Sequence, residues 1–75
     1  MLEKKEVCKR VGSKIRKART EKGLTIEELA NEANLEYSQL SRIELGKINT
    51  SIFHVYQIAH CLQTPIPELF TDLHK

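Results

Sequence analysis

The sequence predicts an all-α domain, a compact bundle of five short helices forming a single unit over residues 1–75. Two observations carry that expectation. Apolar residues recur at helical spacing in each segment, with no strand signal between them. The punctuation also belongs to helices: a threonine with glutamate three residues on, and Gly23, Asn34 and Gly46 at the ends of periodic runs. A chain of 75 residues supports one modest core.

The first helix is expected over about residues 4–22, where Val7, Val11, Ile15 and Ala18 fall on one stripe. Gly23 follows, at the position where a left-handed cap is cheapest. The second helix starts at Thr25, which forms a capping box with Glu28. Ile26, Leu29, Ala30 and Ala33 make its inner face. Asn34 tolerates the positive φ of a tight turn, and Leu35 tucks in behind it. The third helix spans about residues 36–45, with Leu40 and Ile43 inward and Tyr37, Ser38, Gln39, Ser41 and Arg42 outside. Gly46 closes it. A loop from Lys47 to Thr50 leads to a fourth helix capped by Thr50 or Ser51, with the stripe Ile52, Val55, Ile58, Ala59 and Leu62. Pro65 and Pro67 bracket a break. Pro67 suits the first turn of a fifth helix, about residues 67–73, whose apolar residues are Leu69, Phe70 and Leu73.

Composition narrows the function classes. An enzyme pocket that excludes water is hard to build at this size, and no paired acid/base constellation or phosphate loop appears. No apolar run is long enough for a membrane span, and the charged amino terminus lacks a signal region, so a cytoplasmic location is expected. Cys8 and Cys61 are far apart and read as buried small hydrophobes or idle thiols. His54, His60 and His74 have no ligand spacing, so neither a metal nor a cofactor is expected. No small-molecule ligand is expected either. The net charge of +2 is unevenly placed. Residues 1–22 carry nine basic against three acidic side chains, and residues 23–75 carry three basic against seven acidic. A basic first segment attracts a phosphate backbone, or simply solvates a helix face.

The stretch from Leu24 to Asn49 is the most informative. Two short helices meet at a tight turn, and the second presents small polar side chains on a packed helical support. That shape suits insertion into a DNA groove. At this point the chain resembles the Cro/cI-type (XRE-like) helix-turn-helix family. The resemblance covers about residues 11–70 and rests on R-x-x-x-G-L-T (Arg19–Thr25), E-E-L-A (Glu27–Ala30), S-R-I-E-x-G-K (Ser41–Lys47), I-A-x-x-L (Ile58–Leu62) and E-L-F (Glu68–Phe70). Within the family, the chain looks like restriction–modification controller proteins and small phage-type repressors.

The resemblance implies a lambda-repressor-like domain with its helix-turn-helix at about residues 25–45 and helix three in the major groove of double-stranded DNA. Only that groove distinguishes all four base pairs. The implied base-reading residues are Glu36, Tyr37, Ser38, Gln39, Ser41 and Arg42. Gln39 suits adenine and Arg42 suits guanine, each in bidentate fashion. Implied phosphate contacts are Thr25, Lys47, Asn49 and Arg16, with Lys14 or Lys17 adding charge. Arg19 and Glu44 would form a structural ion pair between helices one and three. The departures are Ile26, where a glutamine is frequent, Glu36, where a serine or threonine cap is frequent, and Ile48, where a basic residue is common.

A homodimer on a palindromic operator is expected, because one small module covers one half-site. Phe53, Tyr56, Ile66, Phe70 and Leu73 are the expected apolar interface, unless helix five folds over and buries them. Two function classes remain: a sequence-specific transcriptional regulator, of repressor or controller type, and an antitoxin-like module that binds a protein partner with DNA binding secondary.

Overall fold

The computed structural model describes residues 1–73. Five helices follow in order: α1 (Lys4–Glu21), α2 (Ile26–Ala33), α3 (Tyr37–Glu44), α4 (Ile52–Leu62) and α5 (Ile66–Leu69). No strand occurs among the described residues. Helix α1 packs on α3, α2 packs on both α3 and α4, and α4 and α5 close the bundle against α1. None of these helices is long and apolar enough to cross a membrane.

The helix boundaries follow from local chemistry. Helix α2 begins with the expected capping box: the Glu28 amide donates to Thr25 Oγ1 at 3.0 Å, and the Thr25 amide donates to Glu28 Oε1 at 2.8 Å. Both are donors that a helix start otherwise leaves unpaired. Helix α4 is capped by Ser51, whose Oγ accepts from the His54 amide at 3.1 Å. Four helices stop in the same way. Gly23, Asn34, Gly46 and Gln63 all have positive φ. The amide beyond each reaches back five residues to a carbonyl: Leu24 to Arg19, Leu35 to Ala30, Lys47 to Arg42 and Thr64 to Ala59, at 2.8–3.1 Å. This closure satisfies carbonyls that a helix end would leave bare.

The core draws on every helix. Ile15, Leu29, Leu40, Ile58, Leu62 and Leu69 are its largest fully buried side chains. Val11, Ala30, Ala33, Leu35, Ile43 and Ala59 complete it, with Val7, Ala18, Ile26, Ile48 and Val55 packed at its edge. Burying an aliphatic side chain of this size contributes about 1.5–3 kcal/mol.

Gly12 was not singled out by the periodic stripe. It sits where α1 crosses α3. A Cβ there would stand 2.6 Å from the Glu44 carbonyl oxygen and closer still to that of Ile43. The two backbones therefore meet without a side chain between them. Gly46 is constrained twice: its φ is +73°, and a Cβ would stand 2.5 Å from the Lys9 Cα.

Two expectations need correction. Ile52 has the periodicity of the α4 stripe, yet it is 88% exposed. It lies in the first turn of α4, beyond the end of the core, and lines an open groove instead. The fifth helix is one turn, ending at Leu69 rather than near residue 73. The Phe70 amide bonds back three residues to Pro67 at 3.1 Å, and Asp72 turns the chain with a φ of 65°. That turn straps the carboxyl end onto α1: Arg10 Nη1 donates to the Asp72 carbonyl at 2.8 Å, and Lys14 Nζ meets Asp72 Oδ2 at 3.3 Å.

Candidate nucleic-acid interface

The geometry of α3 starts from its support. Arg19 Nε donates to Glu44 Oε2 at 2.7 Å and Nη2 to Oε1 at 3.0 Å, a two-pronged pair between α1 and α3. Arg19 Nη1 donates to the Leu24 carbonyl at 2.8 Å. The arginine thus also holds the loop that enters α2. Both side chains are nearly closed to solvent, at 9% and 3% exposure. The hydrogen bond that Arg19 donates to Glu44, and the charge of that carboxylate, push the Arg19 pKa above its ordinary value, against the opposing effect of burial. Among the described residues no buried side-chain nitrogen or oxygen lacks a partner.

This brace fixes which face of α3 turns outward. Leu40, Ile43 and Glu44 are buried. Tyr37, Ser38 and Arg42 are exposed together with Leu45, and Glu36 stands exposed at the helix start. Glu36 takes the N-cap backbone conformation without a side-chain cap bond, so its carboxylate stays free. Ser41 and Gln39 lie half-buried on the flanks. Gln39 is tied to α4: its Nε2 is 3.2 Å from His54 Nδ1. The same nitrogen is 3.0 Å from Thr50 Oγ1. Sequence reading treated His54 only as a histidine without metal-ligand spacing. A contact between residues fifteen apart leaves no periodic trace.

The residues expected at phosphates are all accessible: Arg16, Thr25, Lys47 and Asn49 are exposed. The Thr25 hydroxyl accepts in the capping box and keeps its own hydrogen to donate. Lys17 is exposed as well, whereas Lys14 is half-buried and engaged with Asp72. Ile26 and Ile48 are packed at the core edge, where a polar residue would have reached out. Alongside these exposed cations stand the exposed carboxylates Glu27, Glu28 and Glu36.

On α4 and α5, Phe53, Tyr56, Ile66 and Phe70 are 62%, 51%, 40% and 42% exposed. Helix five does not fold over them. Phe53 and Tyr56 stack at a 6.1 Å centroid distance, and Tyr56 stacks on His60 at the same distance. Leu73 is placed differently from expectation: it is half-buried against the core, because the Asp72 turn brings it inward. Ile52, Ile66 and Phe70 border an apolar groove of about 390 Å³ whose floor is formed by Val11, Ile15 and Ile43.

Comparison with known proteins agrees with this geometry. The Helix-turn-helix family model (HTH_3) matches residues 15–69. The control protein C.MunI of Mycoplasma sp. is 37% identical over 67 residues, covering 88% of this chain and 90% of that protein. An uncharacterized transcriptional regulator in the ATPase CF(0) region of Rhodospirillum rubrum is 34% identical over 65 residues, covering 87% of this chain and 60% of that protein. Among solved structures, the restriction-modification controller protein C.AhdI from Aeromonas hydrophila superposes with a TM-score of 0.81 at 33% identity, covering 84% of this chain and 96% of that one. With α2 and α3 forming the two helices of the motif, and α3 braced from behind with its polar face bare, the chain belongs to the Helix-turn-helix family of DNA-binding transcriptional regulators.

Proposed function

We propose that this chain is a cytoplasmic, sequence-specific regulator of repressor or controller type that binds a palindromic operator as a homodimer. The observation that carries the reading is the exposed face of α3, Tyr37, Ser38 and Arg42, held on its far side by the buried Arg19–Glu44 pair. A reading helix must present side chains at fixed positions relative to base edges. A buried two-pronged pair supplies that rigidity. Glu36, Tyr37, Ser38, Gln39, Ser41 and Arg42 form the base-reading set, with Arg42 on guanine O6/N7. Arg16, Thr25, Lys47 and Asn49 hold phosphates and carry no sequence information themselves.

Dimensions and surface support the dimer. The domain measures 34 × 21 × 20 Å. Its shorter axes fall well below the roughly 34–36 Å between successive major-groove faces on one side of the duplex. Two copies are needed to read two half-sites. Phe53, Tyr56, Ile66 and Phe70 give an aromatic and aliphatic patch on the α4–α5 side, the residue types that interface cores favour. A heteromeric protein partner would use the same patch. The C.MunI and C.AhdI relatives bear the names of control and controller proteins, which supports the controller reading.

The test is selection from a random duplex library at about 0.15 M salt, where exposed charges act over ~8 Å. We expect enrichment of a two-fold symmetric sequence with half-site centres about 10 bp apart. Arg42→Ala should relax preference at particular bases, while Lys47→Ala should weaken all sequences alike and reduce the salt slope by about one. No enrichment over bulk DNA would overturn the reading.

A further inference from the structure

We propose that His54 is the positioning residue for Gln39, fixing how the glutamine carboxamide meets a base. This rests on α3 reading the major groove. The observation is a clasp between α3 and α4. Gln39 Nε2 lies 3.2 Å from His54 Nδ1, and Thr50 Oγ1 lies 3.0 Å from the same nitrogen. All three residues are half-buried, so the clasp is partly screened from solvent. The His54 backbone is anchored independently, because its amide donates to Ser51 Oγ at 3.1 Å.

The chemistry gives the clasp a direction. An amide nitrogen donates and cannot accept, so His54 Nδ1 receives the bond and the ring proton sits on Nε2. The Gln39 Nε2 has two hydrogens. One goes to the imidazole, leaving the other and Oε1. That remaining pair, one donor beside one acceptor, is what adenine N7 and N6 require. A carboxamide without an anchor rotates freely and presents nitrogen or oxygen in either order. An anchored one presents a single order, and its rotational freedom is already spent before DNA arrives. His54 thereby selects adenine over other bases at the pair Gln39 meets, without touching that base. Thr50 Oγ1, at 3.0 Å from the same ring nitrogen, shares its single lone pair and limits how the imidazole turns.

The experiment compares His54→Ala, His54→Asn and Gln39→Ala, each alone, and the His54→Ala/Gln39→Ala double variant, by duplex library selection and titration of the selected duplexes. Gln39→Ala should lose adenine preference at one position of each half-site. His54→Ala should lower the preference at that same position by about 2- to 10-fold, the range of one neutral hydrogen bond. In the Gln39→Ala background His54→Ala should add nothing at that position. His54→Asn places an amide oxygen near the Nδ1 position and should restore the preference. NMR of the free protein gives a readout without DNA. One Gln39 side-chain amide proton should be shifted from its unstructured-chain position and exchange slowly with solvent, and should lose both properties in His54→Ala. The proposal is overturned if His54→Ala changes preference elsewhere, if its effect persists undiminished without Gln39, or if His54→Asn behaves like His54→Ala. If no variant or parent selects any sequence, the DNA-reading assignment itself fails. If selection is intact and only the His54 variants are silent, the positioning role alone fails.

Discussion

Removing either partner of the Arg19–Glu44 pair is the most consequential single perturbation the structure offers. A domain of this length is stable by roughly 4–11 kcal/mol, taking about 0.05–0.15 kcal/mol per residue. Stranding one member of a buried ion pair typically costs about 3–5 kcal/mol. The two truncations are not equivalent. Arg19→Ala leaves the Glu44 carboxylate, at 3% exposure, with no arginine beside it, and also frees the Leu24 carbonyl. Glu44→Ala leaves Arg19 with its bond to Leu24 and with the larger solvent access, 9%. Arg19→Ala should therefore fall at the upper end of that range and Glu44→Ala at the lower. For a domain this small, each kcal/mol lowers the melting temperature by about 4–8 °C. A loss of ~4 kcal/mol then corresponds to a drop of roughly 15–30 °C. The double replacement Arg19→Met/Glu44→Leu removes both charges and keeps comparable volume, so it should recover most of the loss. Urea unfolding followed by circular dichroism measures all four proteins. The pH sign is fixed by the raised Arg19 pKa. Its stabilising contribution is fully present below the ordinary guanidinium value and is lost only as pH rises through the higher folded one. Mild alkali should therefore leave it intact. Single variants that each cost less than about 1 kcal/mol, or a double variant that loses the sum of the two, would refute the buried-pair argument.

Three further outcomes are expected. Gly12→Ala should destabilise by about 1–3 kcal/mol despite alanine's better helix propensity, since the obstructing atoms are backbone carbonyls that cannot rotate away; thermal melting decides it, and a stabilised variant would disprove the close crossing. Phe53→Glu should shift any dimer to monomer in sedimentation at micromolar concentration, while leaving the melting temperature of the monomer unchanged, because Phe53 is 62% exposed. Burial pushes the Cys61 thiol up, and the charge of Glu32 adds to this, so site-resolved mass spectrometry should find slow iodoacetamide alkylation near pH 7 that accelerates with pH.

The features legible in the sequence were those set by neighbours within four or five residues. Thr25 and Glu28 announce a helix start because each satisfies the other's backbone donor across three positions. Asn34 and Gly46 announce helix ends because few other residues tolerate positive φ. Gln63 adopts the same conformation without belonging to that group, so its sequence gave no warning. Gly12 looks like an ordinary flaw in a helix until α3, some thirty residues away, is laid across it. Ile52 has the right period and the wrong neighbours, since periodicity assigns a face but not how far along the helix the core extends. The brace from Arg19 to Glu44 was readable only through the family resemblance. The Gln39–His54 clasp joins residues whose types say nothing about each other until the fold brings them together.

The brevity of α3 has a consequence for how DNA recognition and folding are coupled. Eight residues, with no side-chain cap at the start and no acidic residue in the first turn, fall well short of the roughly 12–15 needed for marginal helicity alone in water. The proposed reading surface therefore borrows all its order from the rest of the domain. A synthetic peptide of this segment should be unstructured and blind to sequence. In the intact protein, the hydrogen-bonded α3 amides from Leu40 onward should exchange with solvent at the rate of global unfolding rather than by local fraying. Bound DNA, by engaging only the folded form, should then stabilise the entire domain and protect amides of α1 and α5 as well as those of α3.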